Sequence, residues 1–362
     1  MHLNINLDWL STKGLPMLGL DISTTSVKLV ELSDAGKGML RVERYVIELL
    51  PKDAVADGNI TNLDQVAESL RAAWRELGTR VKNVALALPS SAVITKKILA
   101  PATLTGLDLE NQVEAEANQV VPFSLDEVNL DFQVLGPSPG SQDDVQVLLA
   151  AARKEKVEER VAVVEAAGLK ALIMDVESFA TQTAYEQIMH LLPNNGAGQT
   201  VAIIDIGAQN MHINVLHNND SVYLREHGFG GSQLNSEISR RYGMTSEEAE
   251  NAKRKGTLPE SYEMEVLQPY SETLAMEIGR ALQLFTTSTQ YHKVDQILLA
   301  GGGAMIPGID EVVSQRTGAA TMVVNPFANM AVGAKIRPQQ LAMDAPSLFV
   351  ACGLAMRRFD PE

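Results

Sequence analysis

The chain has 362 residues and a single cysteine, Cys352. That excludes an internal disulfide and any cysteine-rich zinc site, and it leans toward a reducing compartment. Long hydrophobic runs are missing as well. The longest apolar stretches, around 145–152 and 297–309, are short, and the second is broken by glycine and proline, so neither reads as a membrane span. The N-terminus lacks the basic region and following apolar run of a secretory signal. Positive charge is in the minority: Lys+Arg 30 against Asp+Glu 45 gives a net charge of −15. Such acidity argues against a surface built for nucleic acid or anionic lipid, since both select basic patches. Two phosphate-binding signatures are also absent. There is no GxxxxGK[ST] loop, and no GxGxxG opens a βαβ unit, which disfavours P-loop and dinucleotide folds. These absences predict a soluble intracellular protein that reaches a membrane only through a partner.

What is present is an apolar fraction of 45%, ample for buried cores. At roughly 150 residues per domain the length allows two or three domains. Residues 17–33 read as a tight hairpin, with Leu18, Leu20 and Ile22 alternating before a turn at 23–26, and 39–48 alternates again. Leu63, Val66, Leu70, Trp74 and Leu77 fall at helical spacing, with Thr61 and Asp64 as a capping box, and 81–88 reads as a further strand. From about 91 to 168 the order is strand, helix, strand, strand, helix, which reads as an inserted unit. Its two helices are acidic with one apolar stripe each (Leu109, Val113, Ala117, Val120; Val157, Val161, Val164), and their charged faces read as solvated. Residues 230–290 are helical in pattern, with Gly243 and Gly256 as stops and Thr245 with Glu248 as a capping box. Pro269 starts or kinks the longest of these helices, and Pro307 marks the start of another after the 294–300 strand.

Part of the pattern occurs twice. Setting Asp205 over Asp21 lays Ile206 over Ile22, Gly207 over Ser23, Ile213 over Leu29 and Leu216 over Leu32. Each copy opens an α/β unit of similar order, which makes the match an internal duplication. Each hairpin turn carries an aspartate at the end of its first strand, followed by small residues that let backbone N–H groups approach an anion. Such an aspartate can hold Mg²⁺ through water. Two such turns face to face would clamp a polyphosphate, with Lys28 reaching back to neutralise it. Taken singly, each is also readable as an ordinary β-turn. Gly301, Gly302 and Gly303, followed by Ala304, leave room for a flat base, or simply make a tight strand-to-helix connection. Glu250 and Lys253 share a helix face, where they can meet ribose hydroxyls or form a solvated ion pair. His212 and His217 lie five apart on a strand, so they point to opposite faces and cannot share a metal.

Together these segments resemble the actin-like ATPase superfamily, and within it the PilM family of type IV pilus assembly proteins, relatives of the division protein FtsA. Gly19-Leu20-Asp21-Ile22-Ser23-Thr24-Thr25-Ser26-Val27-Lys28 resembles the first phosphate motif, and Asp205-Ile206-Gly207-Ala208-Gln209 the second. Gly301-Gly302-Gly303-Ala304 resembles the adenosine motif, and Ala249-Glu250-Asn251-Ala252-Lys253 the segment that meets the ribose. The resemblance implies two duplicated ribonuclease-H-like halves with an FtsA-type insertion. It implies ATP and Mg²⁺ as cofactors, with Asp21 and Asp205 at the metal, and Ser23, Thr24, Thr25, Lys28, Gly207, Ala208 and Gln209 at the phosphates. Glu177, at the first connecting helix, would position the attacking water, with Asp205 as the second catalytic group. Ser23, Gln209 and Asn210 depart from the usual pattern by being larger, so slow turnover at most is expected.

The implied organisation is an N-terminal tail at 1–16 and a first actin-like subdomain at 17–90 with 169–197. The insertion spans 91–168 and carries a partner groove. A second actin-like subdomain comprises 198–229 with 293–362, and a helical nucleotide-covering subdomain 230–292. The implied role is a cytoplasmic adaptor at the inner face of the bacterial inner membrane. It would bind the N-terminal cytoplasmic peptide of PilN, meet other inner-membrane pilus proteins and self-associate in some settings. The C-terminal residues 355–362 are too short and too acidic to match the basic lipid-binding helix of FtsA, so membrane contact would come only through partners. The segment Ile5-Asn6-Leu7-Asp8-Trp9 resembles the PilN docking motif, or is an unstructured leader. Competing readings are a filament-forming actin homologue and a small-molecule kinase of the same superfamily.

Overall fold

The computed structural model describes residues 15–138, 140–141 and 143–360. The N-terminal motif at 5–9 lies outside the described residues.

Two antiparallel strands open the described chain, β1 (Leu18–Ile22) and β2 (Ser26–Gly36), followed by β3 (Met39–Leu49), the two-residue strands β4 (Val55–Ala56) and β5 (Asn59–Ile60), and α1 (Leu63–Leu77). Asn62, not Thr61, caps α1, because its side chain accepts from the Gln65 N–H while the Thr61 hydroxyl donates to the Asp53 carbonyl. Gly78 ends the helix in the left-handed conformation. After β6 (Asn83–Leu88) come β7 (Val93–Pro101), α2 (Leu107–Val120), β8 (Val128–Pro137), β9 (Asp144–Arg153) and α3 (Lys154–Ala166). This is the order expected for the insertion.

Strands β7, β9 and β8 form a separate antiparallel sheet with its own apolar core, in which Ile98, Val147 and Leu149 meet Leu109, Val113 and Ala117 of α2. Helix α3 packs elsewhere. Val163 and Val164 join Leu70 and Ala73 of α1 in the core of the first sheet, while Val157 and Val161 are only half buried. The buried face of α3 is thus Arg160, Val163 and Val164, rotated from the apolar stripe that the sequence suggested. A charged residue on the inner face hid it from the hydrophobic pattern.

β10 (Lys170–Val176) then leads without a loop into α4 (Glu177–Ile188). The second copy of the hairpin follows as β11 (Thr200–Ile206) and β12 (Met211–His217), then β13 (Asp220–His227), α5 (Gly231–Tyr242) and α6 (Ser246–Lys255). The capping box of Thr245 and Glu248 and the left-handed stops at Gly243 and Gly256 are as expected. A five-residue π turn at Glu263–Leu267 runs into α7 (Gln268–Ser288), with Pro269 just past the junction. The remaining elements are β14 (Gln296–Ala300), α8 (Ile309–Thr317), β15 (Ala320–Val323), β16 (Ala331–Val332), α9 (Pro338–Asp344) and α10 (Phe349–Met356). Helix α8 starts at Ile309 with Gly308 as its N-cap, two residues after the Pro307 start read from sequence.

The duplication is visible in strand order. One sheet runs β10-β6-β1-β2-β3-β16 and the other β15-β14-β11-β12-β13. In both, an antiparallel meander is extended on the far side of its first strand by parallel strands. The halves meet through α10, all eight of whose residues are buried. Glycines permit that approach. A Cβ on Gly19 of β1 would stand 2.0 Å from the Ala351 carbonyl oxygen, and one on Gly353 would stand 1.9 Å from that of Ala180 in α4. Helices α10 and α4 therefore cross at backbone contact, between the sheets.

Candidate functional site

Both hairpin turns close in the same way. The Ser23 N–H donates to the Ser26 carbonyl at 3.0 Å, and at the duplicated position the Gly207 N–H donates to the Asn210 carbonyl at 2.9 Å. The Ser23 hydroxyl also donates to the Ser26 carbonyl at 2.9 Å, so it closes its own turn. Thr24 is half buried and Thr25 exposed, with the Thr25 carbonyl accepting from the Leu50 N–H. Gln209 is exposed, and the Asn210 amide is held by Glu226 of β13. Ser23 and Asn210 thus have partners within the fold.

The charged residues come together between the turns. Asp21 and Lys28 are cross-strand neighbours, and the Lys28 ammonium donates to the Asp21 carboxylate at 2.8 Å. In the second hairpin the equivalent neighbours are Asp205 and His212. His212 therefore occupies the place of Lys28, although the sequence reading treated it as bland. The same offset that relates the aspartates would have found it.

Glu177 is the first residue of α4 and faces both hairpins. Burial pushes its carboxyl up, His212 and Arg160 pull it down, and Asp21 and Asp205 push it up further. Asp205 is raised for the same reason, against His212 and Lys28. Burial works against the charge of Lys28, but Asp21, then Asp205 and Glu177, outweigh it and hold the ammonium above the usual lysine range. Three carboxylates thus share three nitrogen side chains in a partly buried cluster, where uncompensated charge is costly.

The glycine turn wraps over the end of β11. Gly301 has φ +83°, and a Cβ there would lie 2.2 Å from the Asp205 Oδ1; one on Gly303 would meet Ile206. Gly302 is exposed, and a Cβ on it would meet nothing within 4 Å, so open space lies above this turn. Ala304 is buried, with its N–H bound to the Gly301 carbonyl. On the other side, the Gly231 and Ser232 N–H groups at the start of α5 donate to the carbonyls of Gly207 and Ala208. Further along α5, Asn235 joins Glu250 and Lys253 of α6. Lys253 donates to Glu250 at 2.6 Å and to Asn235 at 2.8 Å, and Asn235 donates to Glu250 at 2.8 Å. Glu250 and Lys253 are therefore an ion pair tied to α5, with α5 tied to the second turn. Sequence spacing gave the pair but not Asn235.

A resident metal cage is not built here: among the described residues no group of three or more His, Cys, Asp or Glu is arranged to hold an ion. Two converging aspartates suit Mg²⁺ arriving with phosphates, since that ion keeps several waters and takes one or two carboxylates. Among the described residues no helix is long and apolar enough to cross a membrane.

Comparison with known proteins identifies the fold and the family. A solved structure described as the "PilM-PilN type IV pilus biogenesis complex" has a chain 27% identical to this one, with a TM-score of 0.79 over 96% of this chain and 99% of that one. The ethanolamine utilization protein EutJ from Carboxydothermus hydrogenoformans shares the fold, with a TM-score of 0.55 at 18% identity over 94% of this chain and 88% of that one. The fold is that of the actin-like ATPases, with the duplicated halves expected from sequence. The family model for type IV pilus assembly protein PilM matches residues 19–359, from within β1 to just past the end of α10, and the chain belongs to that family.

Proposed function

We propose that this chain is an ATP-binding adaptor of the type IV pilus inner-membrane complex. It binds the N-terminal cytoplasmic peptide of PilN and links that complex to the cytoplasmic motor. The observation that carries the reading is family membership over residues 19–359, joined to the likeness to the PilM–PilN structure over nearly the whole chain. The insertion at 91–168 houses the peptide groove in this reading, and the exposed Leu99, Leu107, Val134 and Leu135 supply apolar surface there. The protein works at the inner face of the membrane and is held there by its partners.

The nucleotide part of the proposal assigns a role to each cluster. Asp21 and Asp205 hold Mg²⁺, which supplies positive charge between the carboxylates and the phosphates. The turns at Ser23, Thr24 and Thr25 and at Gly207, Ala208 and Gln209 line the phosphates, with Lys28 as the nearby cation. Gly301, Gly302, Gly303 and Ala304 border the base, and Glu250 and Lys253 meet the ribose. Glu177 orients a water, and its raised pKa strengthens it as a base while lowering the fraction ionised at neutral pH. With the larger Ser23, Gln209 and Asn210 at the turns, turnover is slow at most in this reading, and the bound nucleotide acts mainly by holding the two halves together.

Calorimetric titration of a synthetic PilN N-terminal peptide into the full chain, with magnesium and ATP present, tests the adaptor role. Saturable one-to-one binding is expected. An absence of heat and of competition with a labelled peptide would remove PilN as the partner.

A further inference from the structure

Arg160 takes no part in the sequence-derived site, yet it is among the most buried charged residues described, at 3% exposure. It lies on α3, two turns into the helix that follows the insertion's central strand β9. Its Nη2 donates at 3.1 Å to the carbonyl of Gly58, in the turn between β4 and β5. A guanidinium has five donors, so that one neutral acceptor leaves most of its capacity unused. Among the described residues no carboxylate lies within ion-pairing distance of it, and the charges that it faces are foremost Glu177 and Asp21, then its neighbour Glu159. Geometry links it to Glu177: a Cβ on Gly58 would stand 3.0 Å from the Pro89 Cγ, and the Ser90 hydroxyl, one residue on, accepts at 3.1 Å from the N–H of Ser178, next to Glu177.

The arrangement around Glu177 has two sides. His212 of β12 approaches from the second half and Arg160 of α3 from the first, while Asp21 of β1 and Asp205 of β11 oppose it. Lys28 of β2 faces all three carboxylates. Fixed to the Gly58 carbonyl, the guanidinium has a defined place that a freely rotating lysine would not.

We propose that Arg160 is a positioning residue of the nucleotide site, acting through Glu177: its fixed positive charge offsets that carboxylate's charge between the two hairpins. The inference rests on the nucleotide-binding reading given above. Without Arg160, the Glu177 carboxylate stands less compensated in the space that a triphosphate would enter, and it repels the ligand.

A double-mutant cycle tests this. Affinity for magnesium with a non-hydrolysable ATP analogue is measured for the full chain, Arg160→Met, Glu177→Gln and the double variant, with Arg160→Lys as the conservative replacement. Arg160→Met is expected to weaken binding about fivefold to tenfold when Glu177 is present, and less than twofold on the Glu177→Gln background. Arg160→Lys should recover at least half of the lost affinity on a logarithmic scale. Equal losses on the two backgrounds would show that Arg160 merely props up the fold, and would overturn the proposal.

A second cycle uses thermal unfolding of the same proteins without nucleotide. Arg160→Met should lower the midpoint by several degrees more with Glu177 in place than on the Glu177→Gln background. Parallel shifts would again overturn it. A wild-type chain that binds no nucleotide would defeat the nucleotide reading, while the thermal cycle would still decide whether Arg160 acts through Glu177.

Discussion

At the scale of single residues, the adjacent glycines Gly301 and Gly302 serve different ends. Gly301 has φ +83° and would put a Cβ 2.2 Å from the Asp205 carboxylate. Alanine there meets both backbone strain and a clash, and Gly301→Ala should cost about 2 kcal/mol or more in denaturant unfolding. Gly302 has open space beside it, so Gly302→Ala should leave stability within about 0.5 kcal/mol. If the space takes a nucleotide base, Gly302→Ala will nonetheless weaken nucleotide binding, a separation that titration of a fluorescent ATP analogue reads directly. Glu177 gives a pH test. Its carboxyl is raised in the folded state, so the folded protein holds the proton more tightly than the unfolded chain. The stabilising contribution is then full below the unfolded value and is lost as pH rises through the folded one. Glu177→Gln should therefore raise the unfolding temperature of the nucleotide-free protein at pH 7.5, and the gain should shrink toward pH 5 as wild-type Glu177 takes up its own proton.

Among the elements, α10 does most to define the site's geometry while contributing no residue to it. It fits between β1 and α4, which carry Asp21 and Glu177, and it is buried along its whole length. Gly353 lets it cross α4 at backbone contact, since a Cβ would stand 1.9 Å from the Ala180 carbonyl oxygen. Neither backbone can yield without moving a helix. Gly353→Ala should cost about 3 kcal/mol, at the upper end of what overpacking imposes. Displacing α4 would also move Glu177, so nucleotide affinity should fall further than stability alone accounts for. Urea unfolding and nucleotide titration on the same samples separate the two losses.

For the whole molecule, the two hairpin turns proposed to line the phosphates belong to different sheets, joined through α10 and the crossings around it. A ligand that touches both turns binds only the arrangement in which they face each other. At a hundred times its dissociation constant, such a ligand adds about 2.7 kcal/mol to the stability of that state. Magnesium with ATP should accordingly raise the thermal midpoint of the full chain by several degrees. Chelating the metal should remove most of that shift, because Asp21 and Asp205 would then face the phosphates without a cation between them. A shift that persists unchanged in excess chelator would contradict the metal assignment.

Much of this was fixed by local pattern. Alternation in β1, β2, β11 and β12, a repeated Asp at each first strand's end, and the stops at Gly243 and Gly256 are properties of short segments, so the sequence by itself determined the duplicated halves and the two hairpins with an aspartate at each. Helix capping at Thr245 was legible for the same reason, whereas Asn62 displaced Thr61 because the choice between neighbouring caps depends on where the preceding β5 turn leaves the chain. The tertiary structure decided what lies opposite what. It tied Asn235 to Glu250 and Lys253, and turned α3 so that Arg160 faces inward. None of these could be read from periodicity. A polar residue on an inner face breaks the hydrophobic pattern that locates the face, and its compensating charges are supplied by elements distant in sequence that only the folded chain brings near.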